Sequence, residues 1–151
     1  MRLARAKATA VAQPGSLVIG SDQVAVIGTA VAGKPGGHAA ATAQLRGLSG
    51  HSAIFLTAVV VLEPGSNRRA EHMDETRVHF RELSDAEIES YLKTEEPYDC
   101  AGAFKAEGLG ITLFEKIESS DPTALIGLPL IWVTQALIAA GLNPLLRSAG
   151  R

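Results

Sequence analysis

Cysteine is nearly absent. Cys100 stands alone among 151 residues, so no internal disulfide can form and the thiol content gives no argument for an exported chain. A lone cysteine of this kind is expected as a small buried side chain. Long apolar runs are missing too: none reaches the roughly 20 residues that cross a bilayer. The opening Met1–Gly15 is basic but holds no long apolar stretch, so it does not read as a signal peptide. Charge of one sign is also lacking. Fourteen Lys and Arg against sixteen Asp and Glu leave a net charge of -2, which excludes a broad basic surface for a nucleic-acid polymer. An anionic ligand must then be gripped by a few placed cations. The expectation is a cytoplasmic protein with no membrane and no nucleic-acid partner.

What is present is ordinary globular chemistry. Hydrophobic residues make up 46% and charged residues 20%, enough apolar surface for a core and too little charge for disorder. The length suits one domain. Arg2–Gln13 is Ala-rich and reads as a helix stopped by Pro14-Gly15. "SLVIGSDQVAVI" reads as a strand broken at Gly20-Ser21-Asp22, turning at Gly28-Thr29 into a short return. "GGHAAATAQLRGLSG" is a helix between glycines. "HSAIFLTAVVVLEP" is a long β-branched strand closed by the polar turn "PGSNRRAEH". "DETRVHFREL" alternates, with Thr76, Val78 and Phe80 on one side. Ser84 and Glu87 form a capping box ahead of a helix whose apolar stripe is Ile88, Tyr91 and Leu92. A strand over about 110–117 and an amphipathic helix ending at Gly141 complete the order α-β-β-α-β-β-α-β-α. Residues 1–151 are expected to form one mixed α/β domain.

Gly28 to Lys34 fits the phosphate-loop spacing G-x-x-x-x-G-K. The next residue should be a Ser or Thr that binds magnesium. Here it is Pro35, which has neither hydroxyl nor N–H. The glycines also lie on a hairpin rather than between strand and helix, so a phosphate-loop nucleotide switch is disfavoured. The stretch keeps two chemically useful groups nonetheless. Asp22 is a carboxylate expected where the strand breaks, and Lys34 is a cation whose backbone Pro35 restricts. Taken singly, they read first as a turn-capping aspartate and a solvated lysine.

Context changes that balance. "IGSDQV", "GKP", "LSG", "VHFRELSDAEIESYL", "CAGAFKAEGLGITLFEKIE" and "IGLPL" occur in order across nearly the whole chain. Together they resemble the Maf family of nucleoside triphosphate pyrophosphatases. "SDQV" with "AGAFKAEG" resembles its 7-methyl-GTP branch. The resemblance implies an α/β fold with a mixed twisted sheet flanked by helices and a central cleft. It implies hydrolysis between the α- and β-phosphates of 7-methyl-GTP, giving the monophosphate and pyrophosphate, for nucleotide-pool sanitation. Two departures accompany it. Members open with a strand and a Ser-x-Ser-Pro-x-Arg loop that grips the triphosphate. This chain starts at what resembles the following helix, so its first strand and loop are expected to be missing. A catalytically impaired nucleotide-binding remnant is the alternative reading, and an unpaired sheet edge would favour a homodimer. In addition, Ser119 stands where the family usually has glycine, so the turn there is expected to be shifted.

Attack of water on a phosphorus crowded by negative oxygens needs a base, a divalent cation and positive charge. The resemblance makes Asp22 the proton acceptor and a ligand for the metal (magnesium, manganese or cobalt). Lys34 supplies a compact charge for phosphate oxygens. Gln23 and Glu107 are the specificity candidates. A carboxylate accepts both N1–H and N2–H of guanine and favours the positive charge that methylation at N7 adds. Lys105 either touches phosphate or faces water. His51 and His79 lack metal-site spacing, His38 is expected to be exposed, and Trp132 to be core. Tyr98 is expected to pack rather than stack on a base.

Overall fold

The computed structural model describes residues 1–66 and 68–146. Helix α1 (Arg2–Ala10) leads into strands β1 (Val18–Ile27) and β2 (Ala30–Ala32) and helix α2 (His38–Leu48). Strands β3 (Ser52–Glu63) and β4 (Arg68–Phe80), helix α3 (Asp85–Glu95), strand β5 (Phe114–Ser119) and helix α4 (Leu130–Ala139) follow. This is the α-β-β-α-β-β-α-β-α order that the sequence pattern predicts. The strands form one sheet in the order β2-β1-β3-β4-β5. The β1–β2 and β4–β5 pairs are antiparallel. The chain divides into two compact units, and β1, β3 and β4 each contribute a segment to both.

The first unit comprises Met1–Asp22, Thr57–Asp74 and the chain from Asp121 onward. Here α1 lies close against β1. Ala4 and Ala8 are fully buried, and a Cβ on Gly20 would come within 2.3 Å of the Ala4 carbonyl oxygen. Gly20 is therefore required by backbone contact with the helix. That contact corrects the expected strand break: β1 runs unbroken from Val18 to Ile27, and Asp22 sits in its middle. What changes there is the buried phase. Val18 and Gly20 are buried on even positions and Ala25 on an odd one, with Ser21–Val24 half-buried between them. Strand β4 starts at Arg68 rather than Asp74, so of the expected turn only 64–66 are turn and 68–72 are strand. Its added residues, four of six polar, are exposed or half-buried. Glu71 among them takes a two-point contact from Arg5 at 2.7 and 2.6 Å.

The second unit comprises Gln23–Leu56 and Glu75–Ser120. All four phenylalanines of the chain gather in it. Phe104 packs edge-to-face on Phe55, Phe80 and Phe114 at centroid separations of 5.1, 5.7 and 4.8 Å. Leu45, Leu48, Ile88 and Leu92 extend this core. Thr76, Val78 and Phe80 are all buried, as the alternation predicts. Strand β5 begins four residues later than expected, because Leu109–Leu113 forms a 3-10 turn. Ser119 is a strand residue paired with Thr76, and their hydroxyls meet at 2.9 Å.

The Ser84–Glu87 capping box is present. Glu87 accepts from Ser84 N at 2.8 Å, from Ser84 Oγ at 2.7 Å and from Arg81 Nη1 at 2.7 Å. Those bonds, the backbone one foremost, lower its pKa from 4.5 to about 2. A depressed carboxyl contributes stability fully above its unfolded pKa and loses it as pH falls through the folded one. The parent should therefore lose more stability between pH 4.5 and about 2 than Glu87→Gln does, read from urea midpoints across that range.

Candidate active site

Asp22 is met by Lys7 of α1, whose Nζ lies 2.8 Å from Asp22 Oδ1 and 3.0 Å from the Ser21 carbonyl oxygen. The carboxylate is 19% exposed and the lysine 59%, so the acid is half-sheltered while its partner stays wet. Helix α1 delivers Lys7 because Ala4 and Ala8 seat the helix on Gly20. The peptide before Asp22 is fixed as well. Ser21 Oγ lies 2.9 Å from the Ala58 carbonyl oxygen and 2.6 Å from that of Gly127. One hydroxyl proton shared between two acceptors holds the strand against β3 and the turn before α4. Thr123, Ile126, Gly127, Leu128 and Leu130 line an open hollow of about 390 Å³ in the same unit.

Gln23, Lys34 and Glu107 belong to the second unit. The β1–β2 ladder closes at Ala25↔Ala32. Gln23 precedes that pair by two residues and Lys34 follows it by two, so both stand at the same end of the ladder. The Gly28–Lys34 stretch forms the expected hairpin, and α2 starts only at His38. Lys34 is exposed and makes no ion pair among the described residues. Its loop is nevertheless pinned on both sides. Gln44 Nε2 donates to the Gly33 carbonyl at 3.0 Å, and Gly36 N donates to the Tyr98 carbonyl at 2.8 Å. Tyr98 is in turn held by His38, 3.1 Å from its hydroxyl, and His38 reaches Glu89 at 2.8 Å. His38 is thus half-buried and bonded, not exposed as expected. Its contact, followed by Lys93, holds the Glu89 carboxyl below the usual range.

Glu107 is exposed, at the tip of a loop between the buried Phe104 and the 3-10 turn at Leu109. Lys105 points back into the fold, with Nζ donating to the Glu95 carbonyl at 2.9 Å. Cys100 is half-buried rather than buried. Burial first, then the neighbouring Asp99 carboxylate, raises its thiol pKa. Trp132 is half-buried and stacks on His72 at 5.3 Å.

Among the described residues no group of three or more His, Cys, Asp or Glu could hold a metal ion. A half-sheltered single carboxylate fits a hard cation in a different way. Magnesium-like ions are commonly held by one or two carboxylates together with the oxygens of a phosphate substrate. Asp22, the ligand expected from the sequence, is a carboxylate of that kind.

Lys7 escaped the sequence reading. Fifteen residues separate it from Asp22, and no spacing rule links a helix lysine to a strand acid. The one available signal was the Ala4/Ala8 pair, small residues on one helix face that permit close backbone approach.

Sheet order, flanking helices and these side chains describe an α/β protein of the Maf type. Residues 1–140 match the Maf-like protein family, and the chain belongs to it. It is 53% identical over 143 residues to the 7-methyl-GTP pyrophosphatase of Alkalilimnicola ehrlichii, covering 93% of this chain and 72% of that relative. The 7-methyl-GTP pyrophosphatase of Albidiferax ferrireducens is 51% identical over 95% of this chain and 73% of its own length. That of Bordetella avium is 53% identical over 96% and 74%. No helix among the described residues is long and apolar enough to cross a membrane.

Proposed function

We propose that the chain hydrolyses the α–β phosphoanhydride of 7-methyl-GTP, releasing pyrophosphate and the monophosphate, as a cytoplasmic step of nucleotide-pool sanitation. The observation that carries this reading is Asp22, an accessible carboxylate oriented by Lys7 and by the anchored Ser21 peptide, in a chain half identical to relatives bearing that name. Asp22 accepts the proton of the attacking water. The new P–O bond forms as the α–β bridge breaks, and the electron pair leaves with pyrophosphate. Lys34 meets phosphate oxygens as a compact cation on a pinned loop. Asp22 would hold a divalent cation, which when bound would supply Lewis-acid neutralisation of the phosphate charge. Glu107 accepts the guanine N1–H and N2–H donors and favours the N7-methyl cation. Gln23 completes the base contact through its amide.

The test is pyrophosphate release from 7-methyl-GTP, GTP and UTP with magnesium, manganese or cobalt. 7-Methyl-GTP should be hydrolysed with the highest kcat/KM. Glu107→Ala should lose that preference more than it loses turnover. Equal losses on all three nucleotides would remove Glu107 from base recognition. No release from a folded chain with any metal would remove the activity.

A further inference from the structure

Helix α3 ends on two acids, Glu95 and Glu96, with Glu96 in the left-handed conformation at φ 44°. A carboxylate at a helix C-terminus opposes the helix dipole. A local rule broken in this way asks for a compensating contact, and the structure provides one. Glu95 Oε1 accepts from Leu109 N at 2.9 Å. Its carboxylate also fills the space beside Gly108, where a Cβ would come within 2.7 Å of Oε1. In return, Lys105 Nζ donates to the Glu95 carbonyl at 2.9 Å, placing a cation where the helix end favours one. The Tyr91 hydroxyl, one turn back on α3, accepts from Lys105 N at 3.0 Å. Gly108 N closes the loop onto the Lys105 carbonyl at 3.2 Å. Gly110 brings its backbone so near Lys105 that a Cβ there would lie 2.2 Å from the same oxygen. Residues 105 and 109 are thus each tied to the end of α3, and Glu107 is the apex between the ties.

We infer that Glu95 is a positioning residue for substrate discrimination: with Lys105 it forms a two-point clasp that fixes the Glu107 carboxylate in the orientation that selects a methylated guanine. The inference rests on the reading of Glu107 above and extends it to a residue that never touches the nucleotide. GTP offers the same N1–H and N2–H donors, so those contacts hold either nucleotide. What sets 7-methyl-GTP apart is the positive charge that methylation adds, whose attraction to the Glu107 carboxylate weakens with distance, so a loosened apex costs 7-methyl-GTP more than GTP. The loss falls on KM more than on kcat, because the reacting phosphate lies at the other end of the substrate.

The experiment compares the parent with Glu95→Ala, Glu95→Gln and Lys105→Met. Each is assayed for kcat and KM on 7-methyl-GTP and GTP, with amide hydrogen exchange followed over residues 105–110 and 85–92. Glu95→Ala should lower the 7-methyl-GTP to GTP ratio of kcat/KM roughly tenfold, mainly through KM. Exchange should rise in 105–110 and not in 85–92. Glu95→Gln keeps an oxygen for Leu109 N and should return the ratio to within about threefold of the parent. Lys105→Met removes the opposite tie and should shift the ratio in the same direction as Glu95→Ala, which preserves the test if the alanine variant fails to fold. A parental ratio in both Glu95→Ala and Lys105→Met overturns the inference, as does an equal loss on both nucleotides with exchange opened throughout α3. A parent that shows no preference between the two nucleotides overturns the substrate assignment itself, a failure distinct from that of the clasp.

Discussion

Asp22→Asn should release pyrophosphate from 7-methyl-GTP about a thousandfold more slowly than the parent, the middle of the range for removing a positioned general base. The amide has the same shape as the carboxylate but cannot take the proton of the attacking water, and it is a poorer ligand for a hard cation. The variant should stay folded. The pair it breaks joins a 59%-exposed lysine to a 19%-exposed acid, and a pair so open to water is worth about 0–1 kcal/mol. Ser21 continues to anchor the strand through Ala58 and Gly127, so the backbone at position 22 keeps its place. The measurement is kcat under saturating 7-methyl-GTP together with a thermal melt. A large fall in kcat with a nearly unmoved Tm locates the loss in chemistry. A variant that retains a tenth or more of parental kcat would show that another group takes the proton.

The largest stability effect is expected from Asp121→Ala. Asp121 is 3% exposed. It accepts from Thr123 N at 3.0 Å and Thr123 Oγ1 at 2.6 Å through one oxygen, and from Ile131 N at 2.7 Å through the other. Helix α4 needs this acceptor because its own N-cap is Pro129, which has no side-chain oxygen to offer. Asp121 therefore caps a helix that begins nine residues further along the chain. Truncation removes three bonds to a charged acceptor, two from half-buried Thr123 and one from the Ile131 amide, at a cost of about 3 kcal/mol or more. In a chain of this length that corresponds to a drop of roughly 6–12 °C in Tm. Burial pushes the Asp121 carboxyl upward, but the bonds from Thr123 and the first amides of α4 outweigh it and hold the pKa below 3.8. Its contribution is thus complete above pH 3.8 and is lost as pH falls through the lower folded value. Asp121→Asn keeps part of the cap and should be milder, and it should flatten the acid limb of the stability curve. An alanine variant as stable as the parent would mean that α4 finds its cap elsewhere.

Each of these residues shows where sequence reasoning reaches and where it stops. Asp22 is expected at a strand break, yet it lies inside an unbroken strand. Gly20-Ser21-Asp22 looks like punctuation in isolation. In the fold the glycine is an apposition point for α1, and the serine and aspartate are ladder residues whose polar groups are satisfied by Ala58, Gly127 and Lys7. The role of Asp121 as a distant cap was not visible, since the Ile131 amide it serves lies on another element. Strand β4 was cut short because its first residues are charged. Pairing in the sheet, not side-chain alternation, makes Arg68–Met73 a strand. By contrast the Ser84–Glu87 box, the Ile88–Tyr91–Leu92 stripe and the Thr76–Val78–Phe80 face were read correctly, because each depends on spacing within a single element.

By itself the sequence determined the element order, the class of fold, the family resemblance and the identity of Asp22, Gln23, Lys34 and Glu107 as candidates. These follow from local periodicity, capping and ordered motifs, which are written in consecutive residues. Only the tertiary structure decided that Lys7 lies on Asp22, that Gln44 and Tyr98 pin the Lys34 loop, and that Glu95 ties down the loop of Glu107. Those contacts span 10 to 62 residues of chain, and close packing rather than residue spacing brings such partners to hydrogen-bond distance.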